Sequence, residues 1–161
     1  MKMQVSTTTL LKTNAKQHVS KWSMMLLGAV LLLLNSAFAH AEQFKRLGNW
    51  DVHYIVLNST FLQPNIAKQY DIQRSKYNAF VNISVLDKAS KAAQDVVVSG
   101  EAKDLLGNIK KLTFSQVKEQ NAIYYLAQFP FDDNEMYRFS VRVQHGNDTQ
   151  TLKFQQRLVR D

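Results

Sequence analysis

Tyr137-Arg-Phe-Ser-Val-Arg-Val-Gln-His-Gly-Asn-Asp-Thr-Gln-Thr-Leu-Lys-Phe154 decides the fold. Tyr137, Phe139, Val141 and Val143 alternate with polar residues, the period of a strand with one dry face and one wet face. Gly146-Asn147 follows, and a two-residue loop with Gly first favours a type II′ hairpin turn. His145 then faces Asp148, which puts Val141 opposite Leu152 and Phe139 opposite Phe154. All four apolar residues share one face. Arg138, Ser140, Arg142, Thr151, Lys153 and Gln155 share the other. A slip of one residue would break this match, so turn chemistry and apolar pattern specify the same register.

The same alternation recurs upstream. Trp50 to Val56 carries it, as do Ala79 to Val85, Val96 with Val98, Leu112 with Phe114, and Ile123 to Phe129; Leu152 to Leu158 completes the series. Polar turns separate these segments at Gly107-Asn108, Glu119-Gln120-Asn121 and Pro130 to Asn134. About seven short strands at this spacing predict an all-β, immunoglobulin-like β-sandwich. Tyr137, four residues after Asp133 and two before Phe139, matches the tyrosine corner of such domains. Asn58 to Tyr77 departs from the β pattern. Thr60-x-x-Gln63 has the form of a capping box, but Pro64 would then fall where an N–H is needed. A short helix starting at Pro64, with Gln63 extended before it, fits better. Ile66 and Tyr70 would share one of its faces. Lys88 to Gln94 reads as a polar loop.

Residues 1–41 read as a cleaved secretory signal peptide. Lys2, Lys12, Lys16 and Lys21 precede the apolar run Met24 to Leu34, and Ala37, Ala39 and Ala41 offer cleavage after Ala39 or Ala41. The run is shorter than the roughly 20 residues of a spanning anchor, so no stable membrane insertion is expected after cleavage. Residues 42–161 form one domain, exported to the periplasm. The whole chain has net charge +7, but the leader holds four lysines and no acid, which leaves +3 on residues 42–161. Nucleic acid is therefore not an expected partner. There is no cysteine, so disulfide staples and thiol chemistry are excluded.

Asn58-Ser-Thr-Phe-Leu-Gln-Pro-Asn-Ile-Ala-Lys-Gln-Tyr70 and Arg74-Ser-Lys-Tyr-Asn-Ala-Phe-Val-Asn-Ile-Ser-Val85 carry a resemblance. They resemble the exported gammaproteobacterial proteins grouped as the domain-of-unknown-function family numbered 4426. The resemblance implies a bacterial, periplasmic, single-domain protein, and it brings no activity and no functional residue with it.

The connection after the first strand is the first candidate site. Asn58, Thr60, Tyr70, Arg74, Tyr77 and Asn82 offer amide, hydroxyl, aromatic and guanidinium groups suited to a polar ligand or peptide. A structural reading competes: Asn58 and Thr60 would cap the strand exit, while Phe61, Leu62 and Ile66 would plug one end of the sandwich. Arg138, Arg142, Lys153 and Arg157 form a basic outer face that would meet a phosphate-rich surface such as membrane lipid or lipopolysaccharide, or would be an ordinary solvated face. Asp132-Asp133-Asn134-Glu135 is oxygen-rich enough for calcium but lacks EF-hand spacing, and reads as a corner turn. His53 and His145 lack the further ligands of a metal site. No catalytic motif is present, and no metal or other cofactor is expected. The expected function is a non-enzymatic periplasmic binding or protein-interaction module, with a protein, peptide or small envelope ligand as partner. The alternatives are a small hydrolase-like envelope enzyme, using Asp51, His53 or the Arg74 neighbourhood, and a chaperone-like accessory subunit for envelope assembly.

Overall fold

The computed structural model describes residues 43–160; the leader and its cleavage site lie outside them. Nine strands occur among the described residues. The first three are β1 (Phe44–Leu47), β2 (Trp50–Asn58) and β3 (Asn78–Asp87). β4 (Val97–Lys103), β5 (Ile109–Leu112) and β6 (Ser115–Glu119) follow, then β7 (Ala122–Pro130), β8 (Glu135–His145) and β9 (Asp148–Leu158). A 3₁₀ turn (Ser59–Phe61) and a helix, α1 (Pro64–Gln69), connect β2 to β3. One sheet has the order β1-β2-β3-β7-β6 and the other β5-β4-β8-β9. All pairings are antiparallel. The architecture is the expected immunoglobulin-like sandwich.

The last hairpin has the register its sequence dictates. His145 pairs with Asp148, Val141 with Leu152 and Phe139 with Phe154. Gly146 takes φ +58 while Asn147 stays out of the left-handed region, the φ signature of a II′ turn. The dry faces of the two sheets share one core, which includes Val52, Val81, Ile83, Val141, Val143 and Leu152. Aromatic rings bridge the layers. Tyr54 of β2 lies 4.3 Å from Phe154 of β9, and Phe154 stacks on Phe139 at 4.5 Å. Phe139 meets Phe129 of β7 edge-on at 5.8 Å, and Phe129 meets Tyr137 at 5.3 Å. The Tyr137 hydroxyl accepts the Asp132 N–H at 3.1 Å, which closes the tyrosine corner.

Two strands beyond the seven expected appear, β1 and β6. Both are edge strands, and Ser115–Glu119 contains a single apolar residue, Val117. They pair main chain without burying a stripe of side chains, so they leave no periodic signal. Leu112 and Phe114 prove to flank the point where the chain leaves one sheet for the other.

The helix begins at Pro64, with Gln63 extended at φ −62 and ψ 144. Its docking differs from the expectation. It packs Ala67 on the outer face of the five-stranded sheet, in a second small core with Ile72, Phe80, Leu57, Leu62, Tyr70 and Leu126. Phe61 and Ile66 do not plug the sandwich end: Phe61 is 68% exposed and Ile66 36%. Phe80 and Leu126 explain the difference. Each occupies an outward position of its strand, so that face is apolar, and small Ala67 lets the helix approach it.

The same sheet face buries one carboxylate. Asp51 is 2% exposed, held between Arg46 Nε (3.0 Å) and Lys91 Nζ (2.5 Å). Lys91 comes from the loop after β3, where Asp87 Oδ1 accepts the Ala89 and Ser90 N–H groups. The hydrogen bond from Lys91, then that from Arg46, holds the Asp51 carboxyl below the usual carboxylate range. Asn108 lowers Asp104 in the same way, and Lys118 lowers Asp95.

Phe139→Ala should cost about 3–5 kcal/mol in urea unfolding, because it opens the ring bridge in a closed core. Arg142→Ala, on the wet face, should stay within about 0.5 kcal/mol. The depressed aspartates bind fewer protons folded than unfolded. Their stabilisation should therefore be fully present above about pH 4 and fall away as pH drops below it, read as melting temperature against pH. Asp51→Asn should flatten that acid limb; an unchanged limb would show that Asp51 takes no part in it.

Candidate functional site

The six polar residues of the β2–β3 connection do not converge. Ser59, fully buried, organises the segment: its Oγ lies 3.0 Å from the Gln73 and Ser75 carbonyls and accepts the Ser75 N–H at 2.9 Å. Asn58 is 5% exposed, and its Nδ2 donates to the Val159 carbonyl at 2.7 Å. Arg74 Nη2 donates to the Thr60 carbonyl at 2.9 Å. The half-exposed Tyr77 ring lies under the Arg160 guanidinium at 4.6 Å. Arg160 is fixed in turn by the Phe131 carbonyl and, through its N–H, by Asp133 Oδ1. Asn58, Thr60, Arg74 and Tyr77 thus tie the connection to itself and to residues 159 and 160.

Tyr70 lies apart from them. Its hydroxyl donates to the Glu119 carboxylate, which raises its pKa, and Gln69 Nε2 lies 3.0 Å away. Tyr70, Ile72, Phe80, Val117 and Gln128 line a shallow hollow of about 130 Å³ between the segment that follows α1 and β6. Gln128 pairs its amide with the Gln73 main chain, accepting the N–H and donating to the carbonyl at 3.0 Å each. Asn82 sits elsewhere, on the outer face of β3 between Ile55 and Leu126. Its buried Oδ1 has no hydrogen-bond partner among the described residues. Glu119 and Gln128 escaped the sequence reading, because only the fold brings Glu119 to Gln69 and Tyr70 and Gln128 to Gln73.

The basic face is larger than expected. Arg138, Arg142, Lys153 and Arg157 are all exposed on the outer side of the four-stranded sheet. Register adds two lysines of β4 and β5: Lys103 lies opposite Arg138, and Lys111 lies opposite Glu101. Arg157 Nη1 donates to the Asn134 carbonyl and to its Oδ1, both at 3.0 Å. Lys103, Lys111, Arg138 and Arg142 form no ion pair among the described residues. Alternation about Lys103 could have revealed the first of the added lysines.

The oxygens of the Asp132–Glu135 turn diverge. Asp133 accepts from Arg160, Asn134 from Arg157, and Glu135 Oε1 from the Leu105 N–H at 3.2 Å. Asn134 adopts φ +55, as a corner turn requires. Among the described residues, no three His, Cys, Asp or Glu side chains are placed to hold a metal ion. His53 stacks on Phe44 at 5.1 Å on the five-stranded sheet, and His145 ends β8 on the other. Asp51, lying between two cations, is not poised as a base.

β9 is a long edge. It runs for eleven residues and pairs only with β8 among the named strands. In a two-residue hairpin the pair flanking the turn exchanges hydrogen bonds, and alternate pairs repeat this. Asp148, Gln150, Leu152, Phe154 and Gln156 therefore bond to β8. Thr149, Thr151, Lys153, Gln155 and Arg157 direct their N–H and C=O groups outward. Side chains reach two of these carbonyls: Lys45 Nζ meets Lys153 O at 2.5 Å, and Gln156 Nε2 meets Arg157 O at 3.2 Å.

No helix among the described residues is long and apolar enough to cross a membrane. No curated protein matches the chain. A crystal structure of a DUF4426 family protein from Pseudomonas aeruginosa is similar to it at 39% identity and a TM-score of 0.66, covering 77% of this chain and 99% of that one. FetP from uropathogenic Escherichia coli, expressed in the periplasm, is similar at a TM-score of 0.54 and 9% identity, covering 74% of this chain and 95% of that one. A copper-bound FetP variant gives 0.53 and 10%, covering 74% and 96%. At such identity the FetP likeness shows the fold alone. The family model described as a domain of unknown function, DUF4426, matches residues 44–161. The chain belongs to the DUF4426 family.

Proposed function

We propose that the processed chain is a non-enzymatic periplasmic binding or protein-interaction module that takes an extended peptide segment along the outer edge of β9. The observation that carries this reading is the edge itself: eleven residues long and backed by a rigid ring-stitched sandwich. Outward main-chain groups give a strand-adding partner its affinity, and alternate side chains give it specificity. The polar groups of the β2–β3 connection support the reading indirectly, because they are bonded within the domain instead of lining a cleft. The leader pattern supports a periplasmic location. Copper is not carried over from FetP, since His53 and His145 lie on different sheets.

Amide hydrogen exchange, with extended peptides and with partners captured from periplasmic extract, tests the proposal. The Thr149, Thr151 and Gln155 amides should slow on binding, while amides already bonded to β8 stay unchanged. Thr151→Pro removes one outward N–H and leaves the β8 ladder intact. It should abolish binding while the near-UV spectrum stays native. Protection confined to another surface would refute the edge as the site. Absence of any binding peptide or protein would refute the module.

A further inference from the structure

The turn between β4 and β5 holds leucines out in water. Leu106 is 89% exposed, Leu105 58% and Ile109 56%. The turn is braced from below. Asp104, 5% exposed, accepts the Asn108 N–H at 2.8 Å on Oδ1 and the Asn108 side-chain amide at 2.7 Å on Oδ2. The Asp104 N–H donates to the Asn108 carbonyl at 3.0 Å, and the Gly107 N–H to the Asp104 carbonyl at 3.3 Å. Gly107 takes φ +97, a conformation that side chains resist. The Leu105 N–H is tied to Glu135 across to β8. These bonds fix the main chain of a turn on which both leucine side chains lie exposed.

Cations surround this apolar tip. Lys103 immediately precedes it and pairs in register with Ile109 and Arg138. Lys111 lies two residues along β5, and Arg157 lies opposite Met136, next to the Glu135 that holds Leu105. Of the nearby acids, Asp104 is buried and Glu135 is bonded to the turn. Glu101 faces the patch opposite Lys111, and Asp132 and Asp133, in the turn before Glu135, are engaged with Arg160.

An aliphatic wedge ringed by cations fits one kind of surface. The apolar side chains enter the acyl boundary while lysines and arginines stay at headgroup level, where they meet negative charge. A soluble acidic partner would be served by the cations but would leave Leu106 in water. We propose that the β4–β5 tip is a peripheral docking site for a bilayer bearing anionic phospholipid headgroups, with Leu105 and Leu106 inserted and Lys103, Lys111, Arg138 and Arg157 on the phosphates. Of these residues only Arg157 lies on β9; the leucines and both lysines lie on the β4–β5 hairpin, and the inference does not rest on the edge reading. It is compatible with the expectation of no stable membrane insertion, because only a turn enters the interface.

Vesicle co-sedimentation tests it. The protein is expressed with its own leader and recovered from the compartment it reaches, so every variant carries the same amino terminus. Phosphatidylglycerol–phosphatidylethanolamine vesicles should bind the wild type, and phosphatidylcholine vesicles should not. Leu105→Ser with Leu106→Ser should weaken partitioning about tenfold or more, as expected for lost burial of two leucines. Lys103→Gln with Lys111→Gln should weaken it by about 25-fold, some fivefold per cation, and reduce its salt dependence. In Leu106→Trp, tryptophan emission should shift to the blue on anionic vesicles. Three results would overturn the proposal. These are no binding to any vesicle, binding untouched by the double serine change, and a blue shift produced by soluble acidic protein but not by vesicles. Peptide binding at β9 would persist in the serine variant, so failure here is separable from failure there.

Discussion

Five aromatic rings in contact hold the two sheets together. Tyr54, Phe154, Phe139, Phe129 and Tyr137 form a continuous path that passes from the five-stranded sheet to the four-stranded sheet and back. With no cysteine in the chain, nothing covalent supplements this packing. The rings meet only if β8 and β9 keep one register, because any single-residue slip turns Phe139 or Phe154 out to water. The identity of every outward residue is fixed by the same register. The basic face, the bonding of the β9 edge and the orientation of the β4–β5 turn all follow from a core in which these rings touch.

The parts of the fold that were legible in the sequence were those specified locally. Alternation from Tyr137 to Val143, with Gly146 at the turn, determines a hairpin within eighteen residues. Pro64 marks the start of α1 because its missing N–H is harmless only there. β1 and β6 were not legible, since edge strands with a single half-buried side chain each carry no period. The docking face of α1 was missed for a different reason. Phe80 and Leu126 read as ordinary strand residues until β3 and β7 are placed side by side.

The candidate site was less legible than the fold. Asn58 and Tyr77 look like ligand-binding groups in a polar connection, yet the groups they meet, Val159 and Arg160, come from the far end of the described chain. The Asn58 bond to Val159 spans 101 residues of sequence. No local pattern announces such a partner, so the sequence leaves a binding and a structural reading of these side chains side by side. The basic face was visible in part, through Arg138, Arg142 and Lys153, because hairpin register alone aligns them. Lys103 and Lys111 joined it only when the β4–β5 hairpin was set against β8.

The link between Tyr54 and Phe154 governs the order in which the molecule can form. A chain that has emerged only as far as β8 has four of the five rings and lacks Phe154 and Leu152. Loop closure over so long a separation is unfavourable until the ninth strand arrives, and folds dominated by such distant pairings form on the order of milliseconds to seconds. Because Leu152, Phe154 and Leu158 all belong to the shared core, the two sheets can close on each other fully only after the last hairpin is complete.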